Sequence, residues 1–189
     1  IGQLLMLTGC AVAQAVEQVA HLSAWLKWPN DVLVNDRKVG GLLGQAALPL
    51  PPGGEGRGEG EFQAWAVVGV GLNVNADAAT MQAIAPNASS LLVERGEPVS
   101  RVRLLRAILE GIEPRYEALR AGETERLRAE WAARLATLGQ QVSVTTPAGA
   151  LDGLAEDVDA DGALLLRLPD GRLERLLAGD VTLRTSDMK

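Results

Sequence analysis

At Pro29 the chain is forced out of whatever strand precedes it. Proline has no N–H to give a sheet ladder, and it holds the residue before it in extended backbone. The run before it, Ala24-Trp25-Leu26-Lys27-Trp28, is apolar and strand-prone. The run after it, Asp31-Val32-Leu33-Val34, is another short strand, and Asn35-Asp36 separates that from Lys38-Val39-Gly40-Gly41-Leu42-Leu43-Gly44-Gln45. Short apolar runs punctuated by turn formers predict a strand, a corner and a hairpin. The corner sets Asn30 and Asp31 side by side, close to Lys27. Two readings of it stand on residue type alone: an Asx turn closing a strand end, or an amide and a carboxylate presented into a cleft.

The flanking segments predict helices and more strands. Leu4, Leu5, Ala11, Val12, Ala15, Val16 and Val19 recur at spacings of three and four, which predicts a buried amphipathic helix from Ile1 to Leu22. A sequence that opens in the middle of such a helix implies residues upstream. Pro49 to Glu61 reads as a loop, and its stretch Gly54-Glu55-Gly56-Arg57-Gly58-Glu59-Gly60 resembles a phosphate cradle only superficially, being acidic and followed by no helix. Ala64 to Val70 then predicts a buried strand. Arg101 to Leu119 and Glu123 to Leu138 predict charged helices with apolar stripes, Leu104, Leu105, Ile108 and Ile112 in the first and Leu127, Trp131 and Leu135 in the second. Beyond Gly139 short strands alternate with turns at Pro147-Ala148-Gly149, Asp159-Ala160-Asp161-Gly162 and Pro169-Asp170-Gly171, which predicts a small β-barrel. The expected division is therefore residues 1–138 and residues 139–189.

Composition narrows the function. Of 189 residues 47% are apolar, enough for a real core, yet no run reaches the roughly 20 apolar residues of a membrane span. With 24 acidic against 18 basic side chains the net charge is −6, the wrong sign for a phosphate-binding surface, so no direct nucleic-acid contact is expected. One cysteine, Cys10, and one histidine, His21, provide neither an internal disulfide nor a zinc cluster, and a cytoplasmic location is expected. Leu7-Thr8-Gly9-Cys10 has the form of a lipoprotein cleavage box, but the neutral Ile1-Gly2-Gln3 before it lacks the basic segment of such a signal.

Lys27-Trp28-Pro29-Asn30-Asp31, followed by Lys38 and Gly40-Gly41-Leu42-Leu43, resembles the signature hairpin of biotin protein ligases. Val68-Gly69-Val70-Gly71-Leu72-Asn73-Val74-Asn75 resembles that family's G-x-G-x-N strand. Ala88-Ser89-Ser90-Leu91 resembles its A-T-S-L segment, with Ser89 in place of the usual threonine. Trp131 and the strands after it fall in the family's order. The resemblance implies an α/β (α+β) catalytic domain on a mixed sheet with packed helices, then an SH3-like barrel. It implies adenylation of biotin by ATP with magnesium, transfer to a lysine of a biotin carboxyl carrier protein domain, and possible homodimerisation through a sheet edge. A lipoate-type ligase on the related fold, or a noncatalytic remnant that binds partners, are the alternatives.

The resemblance also implies roles. Lys38 reaches the biotin carboxylate and the reacting phosphate, where a compact ammonium offsets repulsion between two anions. Chemistry, independently of the resemblance, makes Asp31 the candidate carboxylate to orient the acceptor lysine and take up its proton in the transfer step. Asn30, Gly40, Gly41, Gly71 and Asn73 belong to the ligand surface, with Asn73 on the nucleotide phosphate or its magnesium, and no protein-only metal site is expected. Arg184, in Val181-Thr182-Leu183-Arg184, contributes to the nucleotide from the second domain, or else forms a rim salt bridge. Nothing here matches the family's glycine- and arginine-rich ligand loop, for which Arg57 is no substitute, and Gln45 stands where many relatives carry glutamate.

Overall fold

The computed structural model describes residues 1–47, 65–147 and 149–183. The loop expected from Pro49 to Glu61 lies outside them, as does Arg184. The elements are α1 (Gly2–Ala20), β1 (Trp25–Lys27), β2 (Asp31–Val34), β3 (Arg37–Ala47), β4 (Trp65–Leu72), α2 (Ala78–Ile84), α3 (Leu91–Arg95), α4 (Arg101–Arg120), α5 (Thr124–Ala132), β5 (Gln141–Thr146), β6 (Gly149–Val158), β7 (Leu164–Arg167), β8 (Leu173–Leu176) and β9 (Asp180–Leu183).

The α1 helix is the axle of the first part. Met6 through Ala13 are all buried, so its middle is covered on every side, by α4, by α5 and by the inner face of the first sheet. Cys10 lies in this stretch at 0% exposure. Burial pushes its thiol up to about 12, because the thiolate would lose its hydration. The Leu7–Cys10 run is thus helix core.

The first sheet has the order β1-β2-β3-β4 with antiparallel ladders throughout. Among the described residues parallel pairing is confined to two isolated bridges, Leu26 with Leu135 and Lys38 with Ala88. Leu26, Val32, Val34, Val39 and Leu42 fill its inner face and are all buried.

Two local expectations need correcting. The strand at residues 64–70 forms as β4 but is not buried, for Val67 is 59% and Val70 38% exposed. Among the described residues α1 and α4 approach its inner face and leave a cavity of about 750 Å³, lined by Leu4, Val68, Leu72 and Ile108 among others. Hydrophobicity marks what can be buried, while neighbours decide what is. The helix expected to reach Leu138 ends at Ala132 instead. There the backbone turns aside to pair with β1: Leu26 N–H donates to Arg134 O at 2.9 Å and Ala136 N–H to Leu26 O at 2.8 Å. The apolar Leu135 belongs to that junction and is 5% exposed.

The second sheet has the order β8-β7-β6-β5-β9, all antiparallel. Two expected turns close as their residues dictate, with Gly162 at φ 84° and Gly171 at φ 87°. Asp159 caps the first by accepting from the N–H groups of Asp161 and Ala163, each at 2.9 Å. Val142, Val144, Ala155, Leu164 and Leu166 form its interior, which is continuous with the core around α1. Trp28 fastens the two parts through its Nε1, which donates to Gly162 O, while its backbone N–H donates to Thr137 Oγ1 within the first part, both at 3.0 Å.

Candidate active site

The β2–β3 hairpin turns through Asn35 and Asp36, both in left-handed backbone at φ 50° and 59°, the conformation that two-residue hairpins favour and Asn and Asp tolerate. Its register is irregular. Asp31 pairs with Gly41 and Val32 with Gly40, but Leu33 pairs with Lys38, so Val39 is an extra residue on β3. In a regular strand Lys38 and Gly41, three apart, would face opposite ways. The bulge reverses that parity and sets Lys38 on the face of Asp31 and Gly41. Lys38 Nζ lies 2.5 Å from Asp31 Oδ1, and a Cβ added at Gly41 would sit 3.7 Å from Lys38 Cε.

This outer face holds a groove of about 540 Å³ lined by Asn30, Asp31, Lys38, Gly41, Leu42, Leu43, Gly69, Val70 and Gly71. Gly41 pairs with Gly71 and Leu43 with Gly69, so three glycines floor one stretch of it. Cβ atoms at Gly69 or Gly71 would meet nothing nearer than 3.8 Å. Local packing therefore does not demand glycine there, whereas a ligand lying on the sheet would. Gly40 differs: its Cβ would fall 2.5 Å from Gly71 O and 2.8 Å from Leu72 Cδ1, so it lets β3 and β4 approach.

The polar side chains are held by backbone. Asn30 Nδ2 donates to Leu42 O at 2.5 Å, while Leu42 N–H donates to Asn30 O at 2.8 Å, tying the corner to β3. Asn73 lies just past β4; its N–H reaches Val39 O at 2.8 Å and its Nδ2 donates to Ser89 O at 3.0 Å. The Lys38 N–H donates to Asn87 O at 3.0 Å and its carbonyl accepts from Ser89 N–H at 2.8 Å. Of the expected site residues, Asn30, Asp31, Lys38, Gly41 and Gly71 share the groove. Asn73 joins them through Ser89, and Gly40 supports the floor. Lys27 lines a second cleft of about 500 Å³, with Asp36, Gln140, Asp180 and Thr182, where β9 nears the first sheet.

Chemically, a cation and a carboxylate in contact above a floor without side chains suit an anionic ligand laid along the sheet. The pair is half open, with Lys38 49% and Asp31 20% exposed, and such pairs contribute only about 0–1 kcal/mol to a fold. It can open for a ligand at small cost.

Residues 3–46 match the model of the biotin/lipoate A/B protein ligase family, and residues 137–184 match that of the biotin protein ligase C terminal domain. The chain is 33% identical over 184 residues to the biotin–[acetyl-CoA-carboxylase] ligase of Mycobacterium tuberculosis, covering 95% of this chain and 62% of that protein. The two family models and this relative support a biotin protein ligase. It is also 28% identical over 181 residues to a bifunctional ligase/repressor of Bacillus subtilis, covering 96% of this chain. The chain spans about half that relative's length, 53%. The biotin protein ligase of Aquifex aeolicus has the same fold, with a TM-score of 0.77 at 23% identity, over 97% of this chain and 75% of that one.

Within this biotin protein ligase framework, sequence reading passed over Leu43, Val70, Arg37 and Glu94. Leu43 is 75% and Val70 38% exposed, and both edge the groove. Arg37 Nη2 donates to Ala88 O at 2.9 Å, and Ser89 Oγ donates to Glu94. The available signal was Ser89-Ser90 ahead of an apolar run, the mark of a helix N-cap. Ser90 does cap α3, its Oγ accepting from Val93 N–H at 3.1 Å.

Proposed function

We propose that the protein activates biotin with ATP and transfers it to a lysine of a biotin carboxyl carrier domain. The observation that carries this reading is the Lys38–Asp31 pair set by the β3 bulge over the Gly41, Gly69 and Gly71 floor. In the first step a biotin carboxylate oxygen attacks the α-phosphate of ATP, and pyrophosphate leaves. Lys38 supplies fixed positive charge where two anions meet. In the second step the acceptor amine attacks the biotinyl carbonyl, AMP leaves, and Asp31 receives the amine proton.

Asn30, Gly41, Gly71 and Asn73 form the surface for nucleotide and biotin in this reading, Gly40 supports that surface by letting β3 and β4 approach, and Arg184 adds a contact from the second part. Among the described residues no three His, Cys, Asp or Glu side chains cluster to hold a metal. Magnesium fits as a companion of the ATP phosphates, with the oxygens of Asp31 and Asn73 within the donor set it prefers. When bound it would neutralise phosphate charge. The division at Gly139, into residues 1–138 and residues 139–189, belongs to the same proposal; β5 beginning at Gln141 supports it. A homodimer through a sheet edge would use β4, which ends the order of the first sheet among the described residues. No described helix is long and apolar enough to cross a membrane.

The Aquifex aeolicus ligase of the same fold is known in complex with biotin and ATP. The C-terminal match is to a biotin ligase domain, which favours biotin over lipoate. The test incubates the whole protein with ATP, magnesium, biotin and a carrier domain. A mass increase equal to biotinylation on the carrier is expected; transfer of lipoate and not biotin would overturn the assignment.

A further inference from the structure

Lys38 on β3 and Asn73 just past β4, two of the residues assigned to ligand binding, meet at one buried residue. Ser89, at 0% exposure, gives its N–H to Lys38 O, receives Asn73 Nδ2 on its carbonyl, and turns its hydroxyl to Glu94. Glu94 is the anchor of this junction. Its side chain is only 8% exposed, and it accepts from Ser89 Oγ, from Asn35 Nδ2 at 2.9 Å and from Arg37 Nη1 at 3.4 Å. Asn35 belongs to the hairpin turn and Arg37 immediately precedes Lys38. Arg37 also holds Ala88 O, so the 87–89 segment is gripped on both sides of its bridge with Lys38.

We propose that Glu94 is a positioning residue that fixes Lys38 and Asn73 relative to each other through Ser89 and Arg37. Lys38 stands on an irregular part of β3, where the extra Val39 interrupts the ladder to β2. Bulged backbone has lost ladder bonds and needs other partners to hold one conformation. Those partners come from the 87–89 segment, and that segment is held to the hairpin by a carboxylate whose three donors satisfy it away from water. A buried carboxylate with several donors is directional and costly to disturb. Glu94 touches neither the groove nor its contents; it acts on the lysine from behind.

The proposal rests on the ligase reading for its catalytic consequence but not for its mechanical one, and the test separates the two. Amide hydrogen exchange is compared between the parental protein and Glu94→Ala, Ser89→Ala and Ser89→Thr, without ligands. The alanine variants are expected to speed exchange at the Lys38 and Ser89 amides roughly tenfold while Val12, inside α1, keeps its rate. Ser89→Thr, which retains the hydroxyl, restores slow exchange. If Glu94→Ala does not fold, Ser89→Ala carries the comparison. Single-turnover adenylate formation is then measured in the parental and Lys38→Ala backgrounds. Glu94→Ala is expected to lower it about tenfold in the first and to add no further loss in the second, the non-additivity of residues acting through one group. Unchanged exchange at Lys38 and Ser89, or an equal loss in both backgrounds, overturns the proposal. A parental protein that forms no biotinyl adenylate overturns the ligase reading instead, and the exchange rates still decide whether Glu94 holds Lys38.

Discussion

The two ends of the first sheet are built from similarly apolar residues and end in opposite environments. At the β1–β2 end the inward-facing Leu26, Val32 and Val34 are at most 2% exposed, packed against α1 and the junction at Leu135, and only the outward-facing Trp25 of β1 is open, at 48%. At the β4 end Trp65, Val67 and Val70 are 38% to 59% exposed. The groove lies on the boundary between them, with Asn30, Asp31 and Lys38 on the packed side and the Gly69 and Gly71 floor on the open side. Charged groups so placed are anchored through packed backbone while their side chains face an accessible floor. Precise placement comes from packing, and access comes from its lack.

The strongest test of this contrast is Trp28→Ala against Val67→Thr. Trp28 is 1% exposed and its Nε1 donates to Gly162 O across the junction, so its loss is expected to destabilise by about 3–5 kcal/mol, measured by denaturant unfolding. Val67→Thr on the open end should stay within about 0.5 kcal/mol. Comparable costs at both positions would show that the β4 end is covered after all.

Within the groove, Lys38→Ala is expected to slow adenylate formation by roughly 100-fold, the scale of losing one preorganised charge contact, with stability nearly unchanged. An unchanged single-turnover rate would show the lysine to be merely solvated. Asp31→Asn keeps the shape but removes the charge, so transfer from preformed biotinyl adenylate to the carrier should slow by about 100-fold and adenylation by less. Because Asp31 touches Lys38, adenylation is not expected to escape entirely. A chase of enzyme-bound adenylate with carrier separates the steps; parental transfer with collapsed adenylation would exchange the two roles.

The glycines sharpen the boundary itself. Gly40→Ala should cost about 1–3 kcal/mol, because its Cβ would meet Gly71 O at 2.5 Å. Gly71→Ala has open space around it and should leave stability near parental while weakening biotin or nucleotide binding, read by calorimetric titration. Equal stability loss at the two would remove the distinction between supporting and ligand-facing glycines.

The smallest effect concerns Cys10. Its thiol is raised from 9.0 to about 12 by burial, so the folded protein holds this proton more tightly than the unfolded chain. The stabilisation is complete below pH 9 and is lost as pH rises from there towards 12, by at most about 1.4 kcal/mol per pH unit. Unfolding free energies measured from pH 7 to 10.5 should fall less steeply in Cys10→Ala than in the parental protein. Parallel slopes would mean that the thiol is hydrated.

Much was legible in the chain because it depends on neighbours in sequence. Pro29 ended a strand, Asn35-Asp36 made a two-residue turn, the period of Leu4 to Val19 made α1, and Gly162 and Gly171 closed turns, since each follows from local dihedral preference or side-chain period. The spacing from Asp31 to Lys38 and the glycines of residues 69–71 likewise pointed to the groove proposed as the site. What the sequence could not state was parity and cover. A hairpin read with regular alternation sends Lys38 away from Gly41, and only the extra Val39, seen in the pairing with β2, brings lysine, aspartate and glycine to one face. Glu94 and Ser89 joined them across 50 residues and more by contacts that leave no period in the chain. The exposure of β4 and the early end of α5 were likewise settled by which surfaces met, because burial is a property of two surfaces and a sequence reports only one of them.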